Sequence, residues 1–353
     1  MVVKLINVKV MNFMGDKFYK ISIIGFIISI SIGLFLRFQF AGLVNSFEQF
    51  DLRRVHTHIG FYLFLFPMVW QTFKLKSWSP RSGCFSSYLL VSVLALLSFL
   101  FFGYGTLSKI LSGVVLFYWL AYAVINLKKK LVPHEWRHPY HGIILATISI
   151  GFIVFFGVKG EAELSVKIVR AFMTCLVWGV FVPFALEKKG YFKVKALWWG
   201  LCVVLTAVFV TGVFETYPVF LGPIGLGTLL FQSLYKKSKR EGLRLDLYWF
   251  VASLSLSLFG FGVIENQSYI AVGGLHFIIL GPILQSIFEL QKEKFLWVYD
   301  VSLMIMVVSI SAPVWVPQHY KTTQLTAALA SSVLVSWLFV FIFKVYKQSI
   351  RRR

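Results

Sequence analysis

Apolar runs of about twenty residues follow one another along the whole chain, and they leave no room for a soluble domain between them. A helix needs ~20 apolar residues to cross ~30 Å of hydrocarbon. Twelve runs of that kind can be marked, at 21–43, 55–74, 85–103, 107–127, 140–158, 168–186, 195–214, 217–235, 246–264, 268–288, 296–316 and 323–346. Hydrophobic residues make up 58% of the chain and charged ones 14%, far from the balance of a soluble protein. The expected fold is therefore an all-α integral membrane protein of about twelve transmembrane helices, with N- and C-termini cytoplasmic. Residues 1–353 are expected to form a single polytopic domain, with 1–20 a cytoplasmic N-terminal segment and 347–353 a basic cytoplasmic tail. The first run is too long for a signal-peptide core and is not preceded by a cleavage site, so it is read as retained.

The formal net charge is +21, which on a soluble protein would suggest nucleic acid. Its placement argues for topology instead. If the N-terminus is cytoplasmic and the sides alternate, 27 of the 35 lysines and arginines fall on the cytoplasmic side. They include Lys128, Lys129 and Lys130 in one loop and Lys236, Lys237, Lys239 and Arg240 in another. That bias follows the positive-inside rule, and an odd error in the number of spans would destroy it. The expected partners are the lipid bilayer, with anionic lipids at the cytoplasmic face, and respiratory or metal-handling proteins; nucleic acid is not expected. A prokaryotic cytoplasmic (inner) membrane is the expected location. Cys84, Cys175 and Cys202 show no metal, redox or haem-attachment spacing.

The informative stretch is Asp51-Leu-Arg-Arg-Val-His56-Thr-His58-Ile-Gly-Phe, where a polar loop becomes the second run. Ionisable groups at membrane depth are costly and usually serve a purpose. If that helix starts near Asp51, His58 lies about 10 Å along it. His276, in Gly273-Gly274-Leu-His276-Phe, lies about 12 Å into the tenth run. Two helices are thus expected to offer imidazoles at one depth, converging on a shared cavity. His56 and His58 are two apart, so a regular helix points them about 200° away from each other. They cannot both grip one metal, but they suit two flanking sites. The plainer alternatives are an interfacial His56 and hydrogen-bonded core imidazoles at His58 and His276. Arg37, near the end of the first run, reads most simply as snorkelling to the interface. The alternative is that it faces the His56/His58 region or an anionic cofactor group. Arg53 is a second candidate cation. His134, His138 and His141 have ligand-like spacing, yet the two prolines, Trp136 and Tyr140 around them favour a headgroup-level anchor.

Twelve helices, the Leu-Arg-Arg-Val-His56-Thr-His58-Ile-Gly-Phe pattern and Gly-Leu-His276-Phe resemble haem–copper oxidase subunit I-like and NnrS-like membrane proteins. The resemblance implies a bound haem or copper held by His56, His58 and His276. It also implies a role in respiration or nitric-oxide stress, with Arg37 or Arg53 beside haem propionates. The copper trio of the oxidases is missing: no two histidines are adjacent, the sixth run has none and the tenth has one. Oxygen reduction is therefore not expected. Two further classes compete. A secondary transporter of a small solute shares the twelve-span plan, with Pro67, Pro183, Pro223, Pro282 and Pro313 as breaks. Against it, Asp300 is the one carboxylate inside a run rather than at its first residue, and no internal repeat is visible. A cofactor-free membrane enzyme needs paired acids or an activated nucleophile. Glu48, Asp51, Glu161, Glu163, Glu215 and Glu265 are scattered and read as solvated loop residues. Whether the chain is an enzyme is left open.

Overall fold

The structure is a computed structural model that describes residues 17–45, 51–74, 82–103, 105–128, 137–158, 172, 176–182, 184–185, 247–249, 251, 268–288, 290 and 293–350. The runs at 195–214 and 217–235, the glycine-rich stretch at Gly222–Gly227, the Trp198-Trp199 pair, His134 and Pro183 lie outside them. The described residues are helical apart from turns and short connections. The helices are α1 (Lys17–Phe40), α2 (Leu52–Ile59), α3 (Phe66–Lys74), α4 (Ser82–Phe102), α5 (Thr106–Lys128), α6 (Arg137–Val158), α7 (Ser268–Ile278), α8 (Leu284–Phe288), α9 (Leu296–Ser311) and α10 (Tyr320–Ile350). Among the described residues five helices are long and apolar enough to cross a membrane: Tyr19–Phe40, Cys84–Phe102, Thr106–Lys128, Leu296–Val314 and Pro317–Lys347. That is the composition of an all-α integral membrane protein.

The chain divides into two compact units, Met1–Tyr118 with Trp297–Arg353, and Trp119–Leu296. In the first unit, α1 packs against α2, α3, α10 and the turn between α2 and α3. One face of α1 explains how. Ser22, Gly25, Ser29, Gly33 and Arg37 recur at helical spacing and share that face. Ser22 and Ser29 are buried, and a Cβ added to Gly25 would lie 2.6 Å from the backbone of Leu63. Small residues let two backbones meet where no hydrophobic drive separates lipid from protein. α1 ends at Gly42, whose φ of +75° few other residues adopt. There Leu43 N–H reaches Phe38 O at 3.0 Å and Gly42 N–H reaches Gln39 O at 2.9 Å.

The second run is one continuous helical path, but it is not uniformly α. A π turn, Gly60–Leu65, joins α2 to α3, and Phe66 N–H reaches back five residues to Phe61 O. Pro67 comes next and has no N–H to give to Tyr62 O, the following acceptor in that series. The Tyr88 hydroxyl, from α4, donates to that carbonyl at 2.5 Å. At this point, before Pro67, the chain widens by one residue and borrows a side-chain donor.

Two more π turns, Val177–Phe181 and Ile279–Ile283, close in the same way: Val182 N–H returns to Val177 O and Leu284 N–H to Ile279 O. Pro282 lies inside the last, and in sequence Pro183 follows the middle one. The three turns fall on the second, sixth and tenth of the expected runs. A glycine contact recurs as well, since a Cβ on Gly142 of α6 would collide with the backbone of Gly179. Tyr88→Phe removes the donor that serves Tyr62 O. The expected cost is about 1–3 kcal/mol, the penalty of a buried polar group left without its bond. It is read as a lowered thermal unfolding midpoint of the purified protein with the helical circular-dichroism spectrum retained.

Candidate functional site

α2 begins where its sequence says a helix should, because Asp51 is a favoured N-cap residue. The Asp51 carboxylate accepts from Arg54 N–H at 3.2 Å and pairs with the Arg54 guanidinium. Asp51 is half-buried and is not simply a solvated loop acid. Its own N–H reaches Leu100 O at 3.4 Å, which ties the start of α2 to the end of α4. Gly103, at φ +55°, closes α4 beside the Asp51–Arg54 pair; a Cβ there would sit 3.1 Å from an Arg54 nitrogen. The signal was present in the sequence as an aspartate immediately before an apolar-periodic segment.

This cap fixes the rotation of α2 and hence the direction of its two imidazoles. His56 turns toward α1: its Nδ1 lies 2.8 Å from Ser29 O, and Ser29 Oγ lies 3.4 Å from His56 O. Ser29 O is approachable because the residue one turn on is Gly33. A Cβ at Gly33 would fall 2.8 Å from His56 Cε1. His58 turns toward α4: its ring stacks on Phe99 at 3.9 Å between centroids and meets Tyr62 edge-on at 5.2 Å. Its Nδ1 lies 2.8 Å from Arg54 O, one turn back. The two imidazoles thus occupy opposite flanks of one regular helix. Val55 and Ile59 lie buried in the same helix and pack with Leu96 and Phe99 in the core of this unit.

The cations divide sharply. Arg53 is exposed, and its carbonyl accepts from Thr57 Oγ1 at 3.1 Å. Arg37 is only 9% exposed, so it does not snorkel to the surface as its place near a helix end suggested. It shares the face of α1 that carries Gly33, one turn farther along, and its guanidinium lies 5.8 Å from the Phe40 ring centroid.

His276 is in the second unit, half-buried on α7, three positions before the π turn begins at Ile279. Its Nδ1 lies 2.7 Å from Val272 O. Next to it Phe277 stacks on Tyr248 at 5.3 Å. His141 and His319 are exposed, and Asp300 is half-buried on α9.

All three candidate ligands therefore hold Nδ1 against a main-chain carbonyl. A carbonyl can only accept, so Nδ1 carries a proton; in the neutral ring Nε2 then holds the lone pair. This is the tautomer in which histidines ligate metals through Nε2, with the carbonyl as outer support. Donor chemistry of this kind fits an ion that takes one or two imidazoles, such as haem iron. It does not fit a closed site of several ligands, since among the described residues no three His, Cys, Asp or Glu side chains come together. No family model, no curated protein and no solved structure matches the chain.

Ser29, Gly33 and Phe99 escaped the sequence reading, although the first two belong to a stripe of small residues that was legible. Gly33→Ala is expected to push the His56 ring off Ser29 O. The loss is about 1 kcal/mol for the hydrogen bond, together with the clash. Gly113→Ala, which meets nothing within 4 Å, is the matched control. Thermal unfolding of the two variants should show a drop for the first and none for the second.

Proposed function

We propose that this chain is a haem- or copper-binding membrane protein of the oxidase-like superfamily, acting in respiration or in the response to nitric-oxide stress. The proposal includes twelve spans, both termini on the cytoplasmic side and residence in a prokaryotic inner membrane. The observation that supports it is the shared state of His56, His58 and His276, each with Nδ1 turned to a backbone carbonyl at 2.7–2.8 Å. Haem is the better match of the two groups. Its iron needs one or two protein ligands, whereas protein copper sites usually draw on three or more. When bound, haem supplies an iron centre that exchanges electrons and takes small gaseous ligands.

The chain's own residues have distinct parts in this reading. His58 and His276 are the candidate iron ligands, and His56 serves a second site on the other flank of α2. The carbonyls of Ser29, Arg54 and Val272 fix the tautomers and the ring orientations. Arg37 supplies a buried positive charge for a carboxylate-bearing group, and Arg53 a solvent-facing one.

A second reading, a secondary transporter of a small solute, is favoured by one observation. Among the described residues three π turns lie at or near prolines, and interrupted helices are where transporters build substrate sites.

The test is spectroscopic. Protein purified from haem-replete cells should show a Soret band. His58→Ala or His276→Ala should shift or abolish it, and His134→Ala should leave it unchanged. Absence of both the band and stoichiometric copper would exclude the proposal, and solute uptake by proteoliposomes would then favour transport.

A further inference from the structure

Arg37 has a place in the fold that packing alone does not explain. It closes the small-residue face of α1, one turn beyond the glycine against which His56 rests. Its side chain is nine-tenths buried within the first unit. Among the described residues its guanidinium has no carboxylate within ion-pair distance; it lies 5.8 Å from the face of Phe40 and within electrostatic range of Tyr320. A buried guanidinium with five donors and no anion is an expensive arrangement. A chain would normally avoid it by pairing the group or letting it reach the surface.

A second donor without an acceptor occurs on the neighbouring helix. α10 packs along α1, and Tyr320, at its first residue, lies within electrostatic range of Arg37. One turn farther on is Gln324, 1% exposed, whose amide nitrogen Nε2 has no hydrogen-bond partner. Tyr320 and Gln324 share a face with Ala327, Ala328 and Ser331, all three buried. Two packed helices thus carry two buried side chains, one cationic and one neutral, and among the described residues neither has a hydrogen-bond acceptor.

We propose that the C-terminal end of α1 and the start of α10 form a binding site for an oxyanion of the phosphate or carboxylate class. Arg37 is its cation and Gln324 a second donor. Arginine suits this role because its planar fork matches two oxygens at once, and the bonds are charge-assisted. The ligand is either a phospholipid headgroup or a free anion from solution. The site uses the same Arg37 that the function proposed above turns toward a carboxylate-bearing group, but it needs no metal or haem, so anion binding by protein that shows no Soret band would leave it standing.

The experiment uses the full-length protein in neutral detergent, stripped of lipid, with thermal unfolding as the readout. One arm titrates inorganic phosphate against chloride at matched ionic strength. The other compares nanodiscs of phosphatidylglycerol with nanodiscs of phosphatidylcholine. Stabilisation in the first arm identifies a soluble anion, and stabilisation by phosphatidylglycerol alone identifies a headgroup. In either case Arg37→Gln should weaken the response at least about tenfold, as expected for loss of a charge-assisted bond, and Arg37→Lys should restore part of it. Should Arg37→Gln fail to fold, Gln324→Leu, which keeps the cation, should still reduce the response several-fold. A wild-type protein indifferent to phosphate and to phosphatidylglycerol overturns the proposal. So does an equal response from wild type and both variants.

Discussion

The position of His56 and of the second run follows from the bare face of α1. Ser22, Gly25, Ser29 and Gly33 let the backbone of the second run lie directly against α1, at Gly25 against Leu63 and at Gly33 against the His56 ring. Inside a bilayer, helices gain little from hiding apolar surface from lipid, so close packing and interhelical hydrogen bonds must hold them. Here both occur on one stripe. The Ser29 carbonyl is open to an outside donor because the residue one turn on has no side chain, and His56 is the donor that uses it.

The same close approach accounts for the π turn. With α1 against Leu63 and Pro67 unable to donate, a regular α-helix would leave a carbonyl unserved in a medium with no water to repair it. The widened turn and the Tyr88 hydroxyl answer that constraint together. The device returns at Val177–Phe181, again with glycine against the turn, and at Ile279–Ile283, just beyond His276. Two of the three turns therefore follow closely on a histidine anchored through Nδ1. An anchored ring beside a locally widened helix combines a fixed ligand direction with a backbone that departs from the standard path, as functional sites in helices often do.

Much of the helical frame was legible in the sequence, because apolar runs and their polar ends are set by the bilayer itself. The run at 268–288 coincides with α7, its π turn and α8, and the run at 55–74 begins three residues inside α2. The early start of α2 was also readable, since Asp51 is a cap before it is a loop acid. What could not be read was the internal departure from α geometry. A proline announces a break, but how the freed carbonyl is served depends on which neighbour offers a donor, and Tyr88 is 26 residues from Tyr62 in sequence. Arg37 was misjudged for a related reason. A cation near a helix end reaches the interface only if nothing covers it, and α10 arrives from the far end of the chain. The opposed directions of His56 and His58, by contrast, follow from helical periodicity alone.

The central claim is that the three histidines are held as Nδ1-protonated, neutral imidazoles whose Nε2 carries the lone pair. Solid-state nitrogen NMR of the protein in bilayers, labelled at histidine and assigned with single His→Gln variants, measures this directly. The account predicts a protonated Nδ1 and an unprotonated Nε2 for His56, His58 and His276, distinct from exposed His319. A protonated Nε2 with a bare Nδ1, or doubly protonated rings at neutral pH, would contradict it.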